Sequence, residues 1–452
     1  MISAVALPLD EPELTVLEAG TRIRRSVLPS GVRVLTEQVP GAGSASVGFW
    51  IPSGSRDEAP AALGSTHFLE HLLFKGTPSR TALDIAVAFD AVGGEHNAAT
   101  AKEHTSYYAK VGSRSLPMAL EVLADMVAAS LLDPVEFETE RGVILEELAA
   151  AEDDPGDVAG ERFFEAVLGP HPLGRPIGGN PATINAATRD GVAAHYRASY
   201  RPERLVVTAA GAVDHDTLVR DAVAALRASG WDLDAGSAPE PRRPSGPAQI
   251  ARGAATTVTE RPTEQTHLLL GMPALTVTDP RRTVLAVLNA VLGGGMSSRL
   301  FQEIRERRGL AYSVYSFAAS YSDTGVMGMS AATSSANVTA VAELMLGELA
   351  GLAERPLTEV ELQRAVGQLS GSAALALEDS EVRMSRLARA EIGTGEFLGL
   401  EEHVRRLEAV TAGDVQDLAV ELLGRPLSVA AVGSADAELL EGLGTPAVPA
   451  AV

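Results

Sequence analysis

The chain has 452 residues, no cysteine, 46% hydrophobic and 21% charged residues, and a formal net charge of −22 at pH 7. This composition is typical of a globular protein large enough for two cores, and it excludes disulfides and cysteine-ligated zinc. The negative charge disfavours nucleic acids and anionic membrane surfaces as partners. No segment approaches the roughly 18 uninterrupted apolar residues of a membrane span.

The predicted elements fall in the same order in the two halves of the chain. In chain order they are strands at 31–39 and 44–51, a helix at 62–74 and a strand at 204–212, then strands at 255–260 and 266–271, a helix at 282–292 and a strand at 427–433. A stretch rich in Pro, Gly, Ser and Ala separates the halves as a semi-rigid linker. We therefore predict an α+β fold of two homologous lobes, 1–232 and 251–452 around a linker at 233–250. Each lobe is expected to be a mainly antiparallel sheet covered by helices on one side.

The first predicted helix carries the most informative motif, His67-Phe68-Leu69-Glu70-His71. Its order, H-x-x-E-H, is the inverse of the common zinc-protease signature. Residues four apart on a helix lie one above the other, so both imidazoles can bind one ion. Catalytic zinc takes three protein ligands and a water, and Glu70 can reach that water without ligating the metal. The structural alternative is a helix with two unrelated histidines on a half-buried face.

A later helix, predicted at 135–154 after an Asp-Pro pair typical of a helix start, offers a third ligand. Glu140 and Glu147 are two helical turns apart and share a face, whereas Glu146 lies about 100° round the helix from Glu147. Such a face suits one metal ligand and a second carboxylate that orients the other ligands. Spacing alone does not choose between Glu146 and Glu147, and acidic residues on a helix are most often solvated.

Together the two motifs resemble the pitrilysin or insulinase family of inverted-motif zinc peptidases. In that family the third ligand lies on a later helix, at the position that matches Glu147. By the same resemblance, Glu140 matches the family's second acidic residue and Glu70 matches the general base. The resemblance implies one Zn²⁺ per chain, held by His67, His71 and Glu147.

Further segments extend the resemblance over most of the chain. A Gly-Gly-Glu-His-Asn-Ala-Ala-Thr segment resembles the family's edge strand, which pairs with substrate, so Asn97, Ala98 and Thr100 are expected to line it. A glycine-rich segment in the second half resembles a signature whose arginine and tyrosine reach the substrate, and the matches are Arg305 and Tyr312. The short two-half form is similar to the mitochondrial processing peptidase catalytic subunit and its bacterial relatives.

These features predict a zinc metalloendopeptidase that hydrolyses extended or unfolded peptides, basic ones among them. Glu70 would act as general base, and Tyr312 with Arg305 would act on the reacting substrate. Two alternatives stay open: a non-catalytic scaffold, and a subunit of a heteromeric processing peptidase that needs a partner chain. We expect a homodimer, or a heterodimer with a related chain, and no nucleic-acid or membrane partner. We expect a cytoplasmic location, because residues 1–20 lack the basic region of a signal or transit peptide.

Overall fold

The structure, a computed structural model, describes residues 4–18 and 20–443. These residues form two compact units. Unit 1 comprises the residues up to Leu148, Pro176–Arg243 and Ala374–Gly399, and unit 2 comprises Ala149–Arg175, Pro244–Ala373 and the residues from Leu400 on. Each unit therefore takes a segment from the other half of the chain. This corrects the prediction of two contiguous lobes at 1–232 and 251–452, and part of the predicted linker, up to Arg243, belongs to unit 1.

The strands and helices are numbered in chain order. The strands are β1 (Val5–Ala6), β2 (Glu13–Glu18), β3 (Thr21–Val27), β4 (Arg33–Gln38), β5 (Ser44–Ile51), β6 (Glu95–Thr100), β7 (Thr105–Gly112), β8 (Val206–Gly211), β9 (Thr256–Thr259), β10 (Thr266–Ala274), β11 (Ala311–Ser320), β12 (Gly325–Thr333), β13 (Glu396–Phe397) and β14 (Ser428–Val432). The helices are α1 (Ser65–Leu73), α2 (Ala82–Asp90), α3 (Leu116–Ala129), α4 (Pro134–Asp153), α5 (Pro155–Leu168), α6 (Pro181–Ala186), α7 (Arg189–Ser199), α8 (His215–Ala228), α9 (Arg282–Gly293), α10 (Val338–Glu354), α11 (Glu359–Ala376), α12 (Ser380–Arg389), α13 (Leu400–Glu408), α14 (Ala412–Leu423) and α15 (Ala437–Leu443).

One strand order recurs in both units. The sheet of unit 1 runs β2-β3-β4-β8-β5-β7-β6, and its last five strands match the sheet of unit 2, which runs β9-β14-β10-β12-β11 when read in the same direction. Among these five strands, the one that comes first along the chain pairs in parallel with the one that comes last, β4 with β8 and β9 with β14, and the other neighbours are antiparallel. The mainly antiparallel α+β fold with two homologous lobes is therefore confirmed.

Helices cover the sheet of unit 1 on both faces, not on one as predicted. Side chains alternate along a strand, so neighbouring residues face opposite ways. Phe49 belongs to the core formed with α1 and α3, whereas the next residue, Trp50, packs with Met384 and Leu387 of α12. β8 is accordingly buried along its whole length. A strand buried on both faces lacks the alternating pattern that would have revealed the second layer of helix.

The sheet of unit 2 has the same arrangement, with α5 in place of α12. Phe163 and Val167 of α5 pack with Leu269 and Val432 on one face, and α9, α10 and α14 form a core on the other. In each unit a glycine leaves room for the covering helix: Gly48 of β5 in unit 1 and Gly271 of β10 in unit 2. A Cβ at Gly271 would lie 2.7 Å from Cζ of Phe163, and one at Gly48 would lie 2.7 Å from Sδ of Met384.

One segment of the described chain, Ser335–Glu354, is long and apolar enough to cross a membrane, and a bent pair of helices, Ser113–Ala129 with Pro134–Asp153, would make a second. The first segment contains α10, whose Val341, Met345 and Leu349 lie in the core of unit 2. Length and composition of this kind are also found in the core helices of globular proteins.

Candidate metal centre

The helix α1 presents two different faces. Phe68, Leu69 and Leu72 are buried in the core of unit 1, and this apolar stripe fixes the helix on the sheet. His67 and His71 lie on a half-buried face, with side chains 21% and 15% exposed. The predicted helix therefore forms, and its two imidazoles meet one turn apart, with ring centroids separated by 4.7 Å.

The helix α4 brings the third side chain. Asp133 accepts hydrogen bonds from the backbone N–H of Val135 at 2.7 Å and caps the helix as the sequence predicts. Phe137 stacks on Phe68 of α1 with ring centroids 4.4 Å apart, and Ile144 is buried. This apolar contact sets the rotation of α4 against α1, and it turns the face that carries Glu140 and Glu147 toward the histidines.

The atoms His67 Nε2, His71 Nε2 and Glu147 Oε2 form a triangle with sides of 3.3, 3.4 and 3.7 Å. Zinc–ligand bonds of about 2.0–2.2 Å at tetrahedral angles place ligand atoms about 3.3–3.6 Å apart. These three side chains thus fit three of the four ligand positions of one zinc ion. Glu147 is 49% exposed, so solvent reaches its carboxylate. Within the described residues, His67, His71 and Glu147 form the group of potential ligands.

Glu140 supports His71 from the side opposite to the triangle. Its Oε2 lies 3.0 Å from His71 Nδ1, and its Oε1 lies 2.6 Å from Nζ of Lys75. The carboxylate is 3% exposed. A carboxylate on Nδ1 fixes the tautomer that leaves Nε2 free for a metal and makes this nitrogen more basic. The structure therefore places Glu140 beside the ligand group and not within it.

His67 is held differently from His71. Its Nδ1 is buried and has no hydrogen-bond partner in the part of the chain that the structure describes. The backbone at Gly178 lies against the ring, because a Cβ there would be 3.8 Å from Nδ1. Burial, and secondly the neighbouring His71, lower the pKa of His67, while Glu70 and Glu147 act in the opposite direction. The neutral imidazole, which is the form that binds metals, is thereby favoured at pH 7.

Glu70 lies on α1 between the two histidines and contacts the edge of the sheet. Its Oε2 accepts a hydrogen bond from the hydroxyl of Thr100, the last residue of β6. β6 is one of the two edge strands of the unit 1 sheet and pairs with β7. The structure thus joins the predicted base to the predicted substrate strand through one hydrogen bond.

The other predicted substrate-strand residues lie on β6 as well. Asn97 is exposed and Ala98 is buried, and Asn97 Oδ1 accepts a hydrogen bond from the backbone N–H of Ala98 at 2.9 Å. An edge strand has unpaired backbone groups, and a side-chain amide that binds one of them reduces its tendency to pair with other chains.

Arg305 and Tyr312 lie in unit 2 and contact each other. Arg305 lies on a π-helical turn, Phe301–Glu306, and Tyr312 lies at the start of β11. The Arg305 guanidinium donates a hydrogen bond to the Tyr312 carbonyl at 2.9 Å and lies 4.5 Å from the centre of its ring. The Tyr312 side chain is 76% exposed. These contacts support the π-helical turn and leave the Tyr312 hydroxyl available.

Sequence reasoning missed two residues next to the site. Lys75, which binds Glu140, is four residues after His71, so helical spacing could have found it. Glu58 accepts hydrogen bonds from the backbone N–H groups of Gly64, the residue before α1, and of Thr66 in its first turn. It precedes a short 3₁₀ segment and has no periodic relation to the motif, so no sequence signal pointed to it.

Two family models match the chain. The model described as Insulinase (Peptidase family M16) matches residues 33–180, and the model described as Peptidase M16 inactive domain matches residues 186–369. The first match contains His67, His71 and Glu147. The second match contains most of the sheet of unit 2. The ligand group lies outside this match, in unit 1.

Related proteins carry zinc-protease names. An uncharacterized zinc protease of Streptomyces coelicolor is 47% identical over 412 residues, which cover 91% of this chain and 89% of the relative. An uncharacterized zinc protease of Bacillus subtilis is 37% identical over 410 residues, which cover 91% of this chain and 98% of the relative.

Solved structures share the fold. A protease from Helicobacter pylori superimposes with a TM-score of 0.83 at 22% identity, covering 91% of this chain and 99% of that one. A peptidase M16 inactive domain from Pseudomonas fluorescens superimposes with a TM-score of 0.81 at 20% identity, covering 92% and 99%. The family-model match and the identity to the zinc-protease relatives show that the chain belongs to the insulinase family, peptidase family M16, and the ligand geometry agrees with this.

Proposed function

We propose that the protein is a zinc-dependent metalloendopeptidase that hydrolyses extended or unfolded peptides. The observation that carries the proposal is the triangle of His67 Nε2, His71 Nε2 and Glu147 Oε2, with sides of 3.3–3.7 Å, and the carboxylate of Glu70 on the same helix. The zinc-protease names of the relatives support the same chemistry.

The three ligands would hold one zinc ion, which supplies Lewis-acid polarisation of the scissile carbonyl and makes water acidic enough to ionise near neutral pH. Glu70 accepts the proton of the attacking water and donates it to the leaving amine. Thr100 orients Glu70 through its hydroxyl. Glu140 fixes the ring of His71 through Nδ1.

The substrate would bind as an additional strand on β6. Main-chain hydrogen bonds to an edge strand accept many sequences, but they require an extended peptide. Since Thr100 ends this strand and binds Glu70, a peptide aligned on β6 runs toward the base. Asn97 would release the Ala98 N–H as the peptide pairs with it. A folded protein offers no free strand for this pairing and should be a poor substrate.

Tyr312 stays the predicted oxyanion donor. Its hydroxyl would donate a hydrogen bond to the oxyanion, and Arg305 would hold the tyrosine in place through the contacts at 2.9 and 4.5 Å. The partners and location also stay predictions: peptide substrates with basic ones among them, a homodimer or a heterodimer with a related chain, and the cytoplasm.

The proposal is tested with the purified full chain and internally quenched, unstructured peptides of basic and acidic composition. We expect cleavage that a chelator abolishes and that added zinc restores, with about one zinc ion per chain. The same peptide sequence inside a folded protein serves as the control and should resist cleavage. Stoichiometric zinc without turnover, alone or with a related chain added, would contradict the proposal and favour a non-catalytic scaffold. Turnover that appears with a related chain would identify a heteromeric processing peptidase.

Glu70→Gln separates the base from the ligands. The amide has the same shape but cannot accept the proton, so turnover should fall by about 10²–10⁴-fold. Zinc content, measured by atomic absorption, should be unchanged. Loss of the metal from this variant would make Glu70 a ligand and would refute the assignment.

A further inference from the structure

The first turn of α1, which carries His67, lacks a cap of its own. The helix begins after Gly64, whose φ is +89°. A Cβ at this position would lie 2.6 Å from Cδ1 of Ile184 and 2.7 Å from the carbonyl oxygen of Gly178. The side chains that usually cap helices therefore do not fit at Gly64. Yet the first backbone N–H groups of a helix need acceptors when they are buried.

Glu58 supplies one such acceptor, for Thr66 in the first turn, and a second acceptor for the N–H of Gly64, the residue before the helix. Its Oε2 accepts a hydrogen bond from the N–H of Gly64 at 2.8 Å, and its Oε1 accepts one from the N–H of Thr66 at 2.6 Å. Glu58 is 4% exposed. Burial raises the pKa of Glu58, and the hydrogen bonds from Thr66 and Gly64 oppose this rise. A carboxylate at the positive end of a helix is also favoured by the helix dipole.

The segment that carries Glu58 is fixed to the end of the edge strand. The N–H groups of Ser55 and Arg56 donate to the carbonyl oxygens of Ala101 and Lys102, at 3.1 and 3.0 Å. These two acceptors directly follow Thr100, the last residue of β6. Glu58 therefore connects the start of α1 with the end of the strand whose Thr100 binds Glu70.

We propose that Glu58 is a positioning residue of the metal centre, which holds the first turn of α1 at a fixed height against β6. This inference rests on the proposed zinc site at His67, His71 and Glu147. His67 lies one residue after Thr66, so a frayed first turn would displace the first ligand.

Glu58→Gln tests the inference without a change of volume. The amide keeps one acceptor and turns a donor toward a backbone N–H, so one cap is lost. We expect zinc affinity, measured by competition with a chromophoric chelator, to fall by about 10–100-fold, the usual effect of losing a group that supports a ligand. Asp214→Ala is the control, because Asp214 caps α8 in the same unit by accepting from Thr217 N–H at 2.9 Å. It should lower the thermal midpoint and leave zinc affinity unchanged.

Hydrogen exchange of the unaltered protein gives a second measurement. If the cap and the metal are coupled, zinc should slow exchange at the amides of Gly64 and Thr66 by at least about tenfold, because coupling between two sites is reciprocal. The amide of Thr217 serves as the reference and should be unaffected. This experiment decides the question should Glu58→Gln fail to fold.

The outcomes separate this inference from the proposed function. Unchanged zinc affinity in folded Glu58→Gln, or no effect of zinc on the two amides, would make Glu58 a structural cap only and would overturn the inference. A protein that binds zinc and loses it in Glu58→Gln, but cleaves no peptide, would support the inference and contradict the peptidase. A protein that binds no zinc would overturn both.

Discussion

The helices α1 and α9 occupy corresponding places in the two units. Along the chain, α1 lies between β5 and β6, and α9 lies between β10 and β11, the matching strands of unit 2. α1 presents His67, Glu70 and His71 on a half-buried face, whereas α9 is apolar, with buried residues over nearly its whole length. The same fold thus surrounds a ligand group in one unit and a packed helix in the other. The units therefore differ in the side chains that these helices present and not in the fold.

Each unit contains one segment from the other half of the chain, Ala374–Gly399 in unit 1 and Ala149–Arg175 in unit 2, and the units differ in how this segment is held. In unit 2, α5 is held mainly by apolar packing around Phe163. In unit 1, Glu391, in the π-helical turn after α12, is fully buried and lies 3.5 Å from both Arg25 and Arg33 and 3.0 Å from Arg242. Burial lowers the pKa of Arg33, and the charge of Glu391 opposes this. One carboxylate therefore compensates buried guanidinium groups only when the segment from the second half of the chain is in place.

The largest effect is expected from removal of this carboxylate. Glu391→Gln keeps the volume but leaves the buried Arg25 and Arg33 without a counter-charge, which should lower the free energy of unfolding by about 3–5 kcal/mol. Glu165→Gln on α5 is the matched control, since Glu165 is 63% exposed and pairs with Arg162 at the surface. It should change the stability little. Equal denaturation midpoints for the two variants would contradict the claim that a buried carboxylate holds the segment in unit 1 whereas apolar packing holds α5 in unit 2.

Tyr312→Phe asks whether unit 2 contributes to the chemistry. Loss of one oxyanion donor should lower turnover by roughly 10²–10³-fold, while zinc content and folding stay normal. Tyr315, on the same strand and 46% exposed, provides the control, and Tyr315→Phe should keep its activity. If peptide hydrolysis assays gave the same rate for both variants, unit 2 would be a scaffold for unit 1.

Glu140→Gln sharpens the difference between a ligand and its support. An amide in place of the carboxylate weakens the interaction with His71 Nδ1 and the ion pair with Lys75, so zinc affinity should fall by about 10–100-fold. The exposed Glu138, which pairs with Arg141 on the same helix, is the control. Chelator competition that separates the two variants by less than about twofold would show that Glu140 does not support the site.

Local pattern was enough to predict much of this molecule. The spacing of His67 and His71, the cap at Asp133 and the shared face of Glu140 and Glu147 are all short-range features, and the structure reproduces the helices they predict. The resemblance to a known family supplied the choice of Glu147, which spacing alone left open.

The exchange of segments could not be predicted in this way. Both α5 and α12 have an apolar stripe, and an apolar stripe predicts burial without naming the sheet that buries it. The role of Glu58 depends on a contact across a loop, which leaves no periodic signal. The second layer of helix was missed because β8 and β14 are buried on both faces and so show no alternation.

The most direct test of the proposed metal centre in unit 1 is to measure the zinc content of two neighbouring variants, Glu147→Gln and Glu146→Gln. Glu147 Oε2 lies 3.4 and 3.7 Å from the Nε2 atoms of His71 and His67, whereas Glu146 is exposed and lies outside this ligand group. Glu147→Gln should therefore lose most of its zinc, and Glu146→Gln should keep about one ion per chain. Equal loss in both variants, or a greater loss in Glu146→Gln, would contradict the proposed centre.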